Sequence, residues 1–153
     1  MISEFEFFHG AVFARILHSG QQVLSIKPYS EADNAAYVVN DSKAVYIKYS
    51  TKRLSPWRFS FQPRHHDMIV QMKEDMGEVF ICLVCNNDGV VVLTFDEFQN
   101  VVNADGGAGD WLSAARNKRQ MYLVKGPLGR LTFKVGKDDF AGKLFSVSET
   151  PIL

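Results

Sequence analysis

The chain has 153 residues, of which 46% are hydrophobic and 22% are charged, the composition of an ordinary globular domain and not of a disordered or fibrous protein. At this length folding can bury about two thirds of the surface that the unfolded chain exposes, so a core needs no disulfide or metal ion to hold it together. Seventeen Lys and Arg residues balance seventeen Asp and Glu residues, which excludes a protein that is strongly basic or strongly acidic as a whole.

The sequence shows no signal for export or for membrane insertion. Its N-terminal residues are acidic and lack the basic start and the apolar stretch of a secretory signal. The longest apolar runs, such as the one from Val79 to Cys85, are far shorter than the roughly 20 residues that a membrane-spanning helix requires. We therefore expect a cytoplasmic protein without a membrane partner, and we expect Cys82 and Cys85 to be buried free thiols.

Apolar periodicity and turn residues predict two helices and several strands in the first half of the chain. Apolar side chains recur every three or four residues after Ser3, which is the spacing of an amphipathic helix. Alternation along the third strand places Tyr46 and Lys48 on one face and the apolar residues beside them on the other. The predicted elements are a helix from Glu4 to Leu17, strands from Gln21 to Lys27, from Ala36 to Val39 and from Ala44 to Ser50, an extended stretch from Trp57 to Phe61, and a helix from Pro63 to Met76.

The middle of the chain is predicted to form a hairpin and a short helix. An apolar strand from Val79 to Cys85 and a strand from Val90 to Phe95 flank an Asn-Asp-Gly turn, which is a hairpin signal. Asp96 is predicted to cap a helix that ends at Val102.

The C-terminal third is predicted to be an extension of the same domain. Residues 104–110 are Gly-rich and typical of a linker, and the segments from Met121 to Lys125 and from Arg130 to Val135 are predicted to form a hairpin. We therefore expect a single domain of α/β (α+β) class. It has a three-layer αβββαβ core at residues 1–103 and, at residues 104–153, a Gly-rich linker and a β-hairpin extension packed on that core.

Charged residues are segregated along the chain although their total is balanced. Residues 42–66 contain six basic and no acidic residues, residues 111–137 contain seven basic and no acidic residues, and residues 67–110 contain nine acidic residues and one basic residue. The first basic block also holds aromatic residues, and cations interleaved with aromatic rings suit a phosphate backbone with stacked bases. An alternative is that the acidic segment covers the basic blocks, within one chain or in a homodimer. The cations of the first block that are predicted to bind DNA or RNA are Lys52, Arg53, Arg58 and Arg64.

The order of the elements, together with three charged residues, resembles a known superfamily. Glu6 lies on the leading helix, Asp33 precedes the second strand, and Lys48 lies on the third strand. This arrangement resembles the restriction-endonuclease-like, or PD-(D/E)xK, nuclease superfamily, whose αβββαβ core holds a magnesium ion between acidic residues. The resemblance implies that Glu6 and Asp33 bind Mg²⁺, and that Lys48 completes the catalytic site by orienting or activating water for phosphodiester cleavage.

The third-strand motif departs from that superfamily at one position. Tyr46 replaces the acidic residue expected two positions before the lysine, and a phenol is a poor magnesium ligand at neutral pH. Asp41 is an alternative to Asp33 as the acidic residue of the second strand. The segment from Tyr46 to Phe59 also resembles an uncharacterised bacterial family, a resemblance that implies no function.

The neighbouring residues His65 and His66 stand at the start of the second predicted helix. Adjacent residues on a helix do not share a face, so at most one of them can join a site. We interpret the pair as a solvated helix start.

Two functions are compatible with these observations. The first is a metal-dependent nuclease, or a degenerate nuclease-like protein, that acts on DNA or RNA with Mg²⁺ as cofactor. The alternative is a non-catalytic domain that binds nucleic acid or another protein.

Overall fold

The described part of the computed structural model comprises residues 1–102, 110–136 and 139–145, which form four helices and nine strands. The helices are α1 (Glu4–Leu17), α2 (Pro63–Met76), α3 (Phe95–Val101) and α4 (Phe140–Phe145). The strands are β1 (Ile26–Pro28), β2 (Ala36–Val39), β3 (Lys43–Ser50), β4 (Trp57–Phe61), β5 (Val79–Cys85), β6 (Gly89–Thr94), β7 (Asp110–Ala115), β8 (Leu123–Gly126) and β9 (Gly129–Arg130). No helix in these ranges is long and apolar enough to cross a membrane.

The larger sheet has five strands in the order β1-β2-β3-β5-β6. β3 and β5 run parallel, and the other neighbouring strands are antiparallel. Parallel neighbours need a crossover connection, which here consists of β4 and α2. The chain is therefore of the mixed α+β class that the sequence predicts.

Helices cover both faces of the larger sheet. α1 and α4 lie on one face, where Ile16 and Leu144 belong to the same apolar cluster as Ile47. α2 lies on the other face, where Ile69 belongs to one cluster with Tyr46. The predicted alternation along β3 is therefore confirmed.

The smaller sheet is antiparallel and has the strand order β4-β7-β8-β9. β4 alternates between buried aromatic residues and the exposed Arg58 and Ser60, so one face of this sheet packs against the α2 side of the core and the other faces solvent. Because β4 pairs with β7, the sheet joins residues 57–61 to the C-terminal strands. The C-terminal strands thus share one apolar core with the preceding part of the chain.

β1 is shorter than predicted, since it begins at Ile26 instead of Gln21. The backbone N–H groups of Leu24 and Ser25 donate to the Asn40 side chain at 2.7 and 3.3 Å. This backbone is satisfied by a turn side chain and not by a neighbouring strand. Apolar alternation in the sequence is the same whether the backbone bonds to a turn side chain or to a neighbouring strand.

The region after β6 also differs from the prediction. Thr94, not Asp96, caps α3. The Oγ1 of Thr94 accepts a hydrogen bond of 3.2 Å from the N–H of Glu97, and the Glu97 carboxylate accepts one of 2.9 Å from the N–H of Thr94. β7 and α4 have no counterpart among the predicted elements. The predicted Gly-rich linker lies outside the described residues except for Asp110, the first residue of β7.

The two cysteines are free and buried, as predicted. Cys82 belongs to the α1 side of the larger sheet and Cys85 to the α2 side, because residues three apart on a strand point to opposite faces. Burial raises the pKa of both thiols well above its ordinary value, so neither is a reactive thiolate.

A charged network joins the two sheets. Asp88, in the turn between β5 and β6, accepts two hydrogen bonds of 2.7 Å from the guanidinium group of Arg116, which follows β7. The Tyr122 hydroxyl also donates to Asp88, and the Arg116 guanidinium lies 5.4 Å from the centre of the Tyr122 ring. The side chains of Asp88 and Arg116 are only 23% and 12% exposed, so the pair is largely withdrawn from water.

Candidate functional site

A pocket of about 470 Å³ opens at the C-terminal half of β3. The register of the larger sheet assembles it, because Ala36 of β2 pairs with Tyr46 of β3 and thereby brings the loop before β2 alongside β3. α2 starts directly after β4, so its first turn reaches the same place. The pocket is lined by Glu4, Phe5 and His9 of α1, Asp33 and Asn34 before β2, Tyr46, Lys48 and Tyr49 of β3, and Arg64 and His65 of α2.

Asp33 is held in the pocket by two hydrogen bonds. Its Oδ2 accepts one of 2.6 Å from the Tyr46 hydroxyl, and its Oδ1 accepts one of 3.0 Å from the N–H of Ala35. Burial, followed by the contact with Asp33, raises the pKa of Tyr46 far above its ordinary value. The phenol therefore stays protonated and acts as a hydrogen-bond donor.

Lys48 is the half-buried cation of the pocket. Its Nζ lies 5.3 Å from the centre of the Phe61 ring, and no carboxylate in the described ranges forms an ion pair with it. Burial lowers the pKa of Lys48, an effect that the charge of Asp33 opposes and that of Arg64 reinforces. An anionic ligand in the pocket could form the ion pair that Lys48 lacks in the described ranges.

The structure corrects the interpretation of the two adjacent histidines as solvated. His66 is only 2% exposed and packs against Phe98, whereas His65 lines the pocket. The Nδ1 of His65 accepts a hydrogen bond of 3.1 Å from the N–H of Gln62, so its Nε2 carries the proton. Burial and the nearby charges of Lys48 and Arg64 lower the pKa of His65 to about 4, which leaves a neutral ring with one N–H donor. As predicted, only one of the two histidines joins the site.

His9 forms the back of the pocket among aromatic rings. It is 3% exposed, and its Nδ1 lies 2.7 Å from the Tyr37 hydroxyl. The Phe5 ring contacts it edge to face, with 5.2 Å between the ring centres. Burial lowers the pKa of His9 to about 4, although the charge of Asp33 opposes the shift. His9 is therefore neutral at pH 7.

The structure does not bring Glu6 to this pocket. Its Oε1 accepts a hydrogen bond of 2.7 Å from the N–H of Ser3 and so caps its own helix. The acidic residue that α1 contributes is Glu4, which accepts a hydrogen bond of 3.1 Å from the Tyr49 hydroxyl. The Ser-x-x-Glu pattern at the helix start is the sequence signal that predicts a capping role for Glu6.

Asp33, and not Asp41, is the acidic residue placed beside Lys48. Asp41 lies in the turn at the opposite end of β2, where it is exposed and forms an ion pair of 3.2 Å with Lys27. The choice that the sequence left open is thus decided in favour of Asp33 as the residue that lines the pocket.

The pocket brings two carboxylates, those of Glu4 and Asp33, together with two cations, Lys48 and Arg64. Magnesium takes carboxylate and water oxygens in octahedral geometry. Both oxygens of Asp33 already accept hydrogen bonds, and Lys48 and Arg64 bring positive charge to the same space. Within the described residues, no group of three or more His, Cys, Asp or Glu side chains is placed to hold a metal ion. A magnesium cofactor stays a prediction that rests on the family resemblance.

No protein-family model, curated protein or solved structure matches the chain significantly. Function therefore has to be inferred from the pocket and from the charges around it.

The acidic segment neutralises only part of the two basic blocks. Lys43 pairs with Glu78 at 2.8 Å, and Arg116 pairs with Asp88 at 2.7 Å. In the described part of the chain, the other cations of the two blocks form no ion pair. Cations that no carboxylate neutralises favour a polyanionic ligand.

The four cations predicted to bind nucleic acid lie at different places around the pocket and the smaller sheet. Lys52 donates to the Pro56 carbonyl at 3.0 Å, and Arg53 is exposed in the loop after β3. Arg64 lines the pocket, and Arg58 lies on the solvent face of the smaller sheet. Only Arg64 is thus brought to the pocket itself.

Replacing Tyr46 by Phe is expected to lower the free energy of unfolding by about 1.5–3 kcal/mol, because a hydrogen bond to the charged Asp33 is lost. The control is Tyr37→Phe, which removes a hydroxyl of the same kind from the neutral His9 and is expected to cost about 1 kcal/mol. Urea unfolding of both variants measures the difference. Equal losses would show that the Tyr46 hydroxyl does not interact with a carboxylate.

Proposed function

We propose that the protein binds the phosphate backbone of DNA or RNA in this pocket as a degenerate, nuclease-like domain that does not cleave its ligand. The element order α1, β1, β2, β3, α2, β5 supports a nuclease-like architecture, since it is the αβββαβ order of the superfamily that the sequence resembles. β4 is an insertion between the third strand and the second helix. The observation that carries the proposal is the Tyr46 hydroxyl, which donates to Asp33 from the position where an acidic residue is expected.

The pocket offers donors of three kinds to a phosphate group. Lys48 supplies an ammonium group, and His65 supplies a neutral Nε2–H. The Nε of Arg64 donates to the Gln62 side chain at 3.1 Å, which orients the guanidinium and leaves its terminal N–H groups for a ligand. Such donors bind a phosphodiester by charge-assisted hydrogen bonds without needing a metal ion.

The proposal predicts binding of fluorescein-labelled DNA and RNA strands in EDTA, measured by fluorescence anisotropy at about 50 mM salt. Lys48→Met and Arg64→Gln are each expected to weaken binding about tenfold, which corresponds to roughly 1.4 kcal/mol for one lost charged contact. Lys27→Met is the matched control, because it removes an exposed cation that pairs with Asp41 far from the pocket. It should change the affinity less than about twofold.

Two outcomes would contradict this function. One is that Lys48→Met binds as well as Lys27→Met while both remain folded. The other is cleavage of the labelled strand in Mg²⁺ or Mn²⁺ that disappears in Asp33→Ala. The second result would establish the metal-dependent nuclease that the family resemblance implies.

A further inference from the structure

The solvent face of the smaller sheet carries a row of cations that the pocket does not use. Arg58 of β4 pairs with Ser113 of β7, Ser113 pairs with Lys125 of β8, and Lys125 pairs with Arg130 of β9. Directly paired residues on neighbouring strands project from the same face. Arg58, Lys125 and Arg130 are all exposed, so one row across four strands brings together cations from both basic blocks. We call these three residues the sheet row.

An aromatic side chain lies next to the sheet row. Trp111 of β7 is half-buried and pairs with Ser60 of β4. It lies two residues before Ser113 and therefore on the same face of the sheet. The guanidinium of Arg58 lies 4.4 Å from the centre of the Trp111 ring. A cation and an indole on one exposed surface are the groups that bind a phosphate and a base of the same nucleotide.

The four strands of the smaller sheet place no exposed carboxylate beside the sheet row. Asp110 is the only acidic residue in the four strands, and its side chain is 3% exposed. In the described ranges none of the three sheet-row cations forms an ion pair. Glu97 of α3 lines a surface pocket with Arg130 but is itself paired with Lys143 at 2.7 Å, so the strands present a positive face.

We propose that the solvent face of the smaller sheet binds single-stranded nucleic acid across its strands, with phosphates on the sheet row and a base stacked on Trp111. Neighbouring strands lie about 4.8 Å apart, so the row extends over roughly 14 Å, long enough for contacts to successive phosphates. A single strand is favoured over a duplex because only unpaired bases can leave their stack and lie on an indole ring. The proposal shares the ligand class of the proposed function but none of its residues.

The salt dependence of binding separates the sheet row from a general effect of charge. The probe is a fluorescein-labelled thymidine homopolymer of about 16 nucleotides, and the variant is the triple Arg58→Gln, Lys125→Gln, Arg130→Gln. The affinity of this variant should fall at least tenfold at about 50 mM salt. The slope of log affinity against log salt should also become shallower by about 2, because three phosphate contacts are lost and each contributes about 0.7 on a single strand. The matched control is the triple Arg15→Gln, Lys27→Gln, Lys73→Gln, which removes the same charge outside the two basic blocks.

Tryptophan fluorescence reports on stacking directly. The chain has two tryptophans, and Trp57 is 3% exposed while Trp111 faces solvent beside Arg58. An unlabelled thymidine homopolymer should quench the emission of the folded protein, and Trp111→Phe should abolish the quenching because only the buried Trp57 remains. A duplex of the same length should bind more weakly and quench less.

Three results would overturn the inference: equal losses of affinity in the two triple variants, binding without quenching of Trp111, or equal affinity for the duplex. Failure of the proposed function gives a different pattern. If Lys48→Met and Arg64→Gln bind normally and the sheet-row variant does not, the pocket is not the ligand site and the sheet face is. The reverse pattern keeps the pocket and removes the sheet face.

Discussion

Acidification from pH 6.5 to pH 4 is expected to lower the free energy of unfolding by about 3 kcal/mol through His9 alone. The folded-state pKa of His9 is lowered from 6.5 to about 4 by burial, so in this interval the unfolded chain binds a proton that the folded chain does not. The contribution of neutral His9 to the free energy of unfolding is fully present above pH 6.5 and decreases as the pH falls. It stops decreasing near pH 4, where the folded state also takes up the proton. His65 has the same direction of shift and adds a smaller amount because it is partly exposed.

Urea unfolding at several pH values measures this loss. His9→Gln and His65→Gln should each flatten the pH dependence between pH 6.5 and pH 4. The groups that face the two rings from the surrounding elements are Glu4, Asp33, Lys48 and Arg64. A stability that does not change from pH 7 to pH 5 would show that both rings take up protons in the folded protein.

Replacing Asp88 by Ala is expected to lower the free energy of unfolding by about 3–5 kcal/mol, the cost of leaving a largely buried guanidinium group without its partner. Arg116 would lose both of its 2.7 Å hydrogen bonds to the carboxylate, and the Tyr122 hydroxyl would lose its acceptor. Thermal or urea unfolding measures the loss. The exposed pair of Lys27 and Asp41 provides the control, since Asp41→Ala should cost less than about 1 kcal/mol.

A double-mutant cycle separates the ion pair from its surroundings. Arg116→Met alone should also destabilise the protein, and the double variant with Asp88→Ala should cost clearly less than the two single changes added together. Additive losses would contradict an ion pair between the two sheets and would assign the effect to packing around Tyr122.

Regular elements with strong apolar periodicity could be predicted from the sequence. The predicted bounds of α1, α2 and β5 are those of the structure, and the alternation along β3 places Tyr46 and Lys48 on the predicted face. β7 was not predicted, because its six residues become a strand only by pairing with β4. That pairing is a tertiary event with no local signal.

Part of the candidate site could be predicted, and the rest depends on contacts between distant residues. The resemblance to the nuclease superfamily implied one site for Asp33 and Lys48, and both residues line the pocket. The sequence did not predict that the Tyr46 hydroxyl bonds to Asp33, because that contact requires the loop before β2 to fold against β3. The resemblance implied Glu6, but its carboxylate caps α1 at Ser3, and Glu4 lines the pocket instead.

The pairing of β4 with β7 has a consequence for the synthesis of the chain. Trp57, Phe59 and Phe61 are almost completely buried, but β7 and the other C-terminal strands complete the layer that covers them. While the ribosome has made only the first hundred or so residues, these rings and the unpaired edge of β4 are exposed to other chains. A fragment that ends at residue 103 should therefore aggregate, and the core should close only when the strands up to Arg130 have left the ribosome.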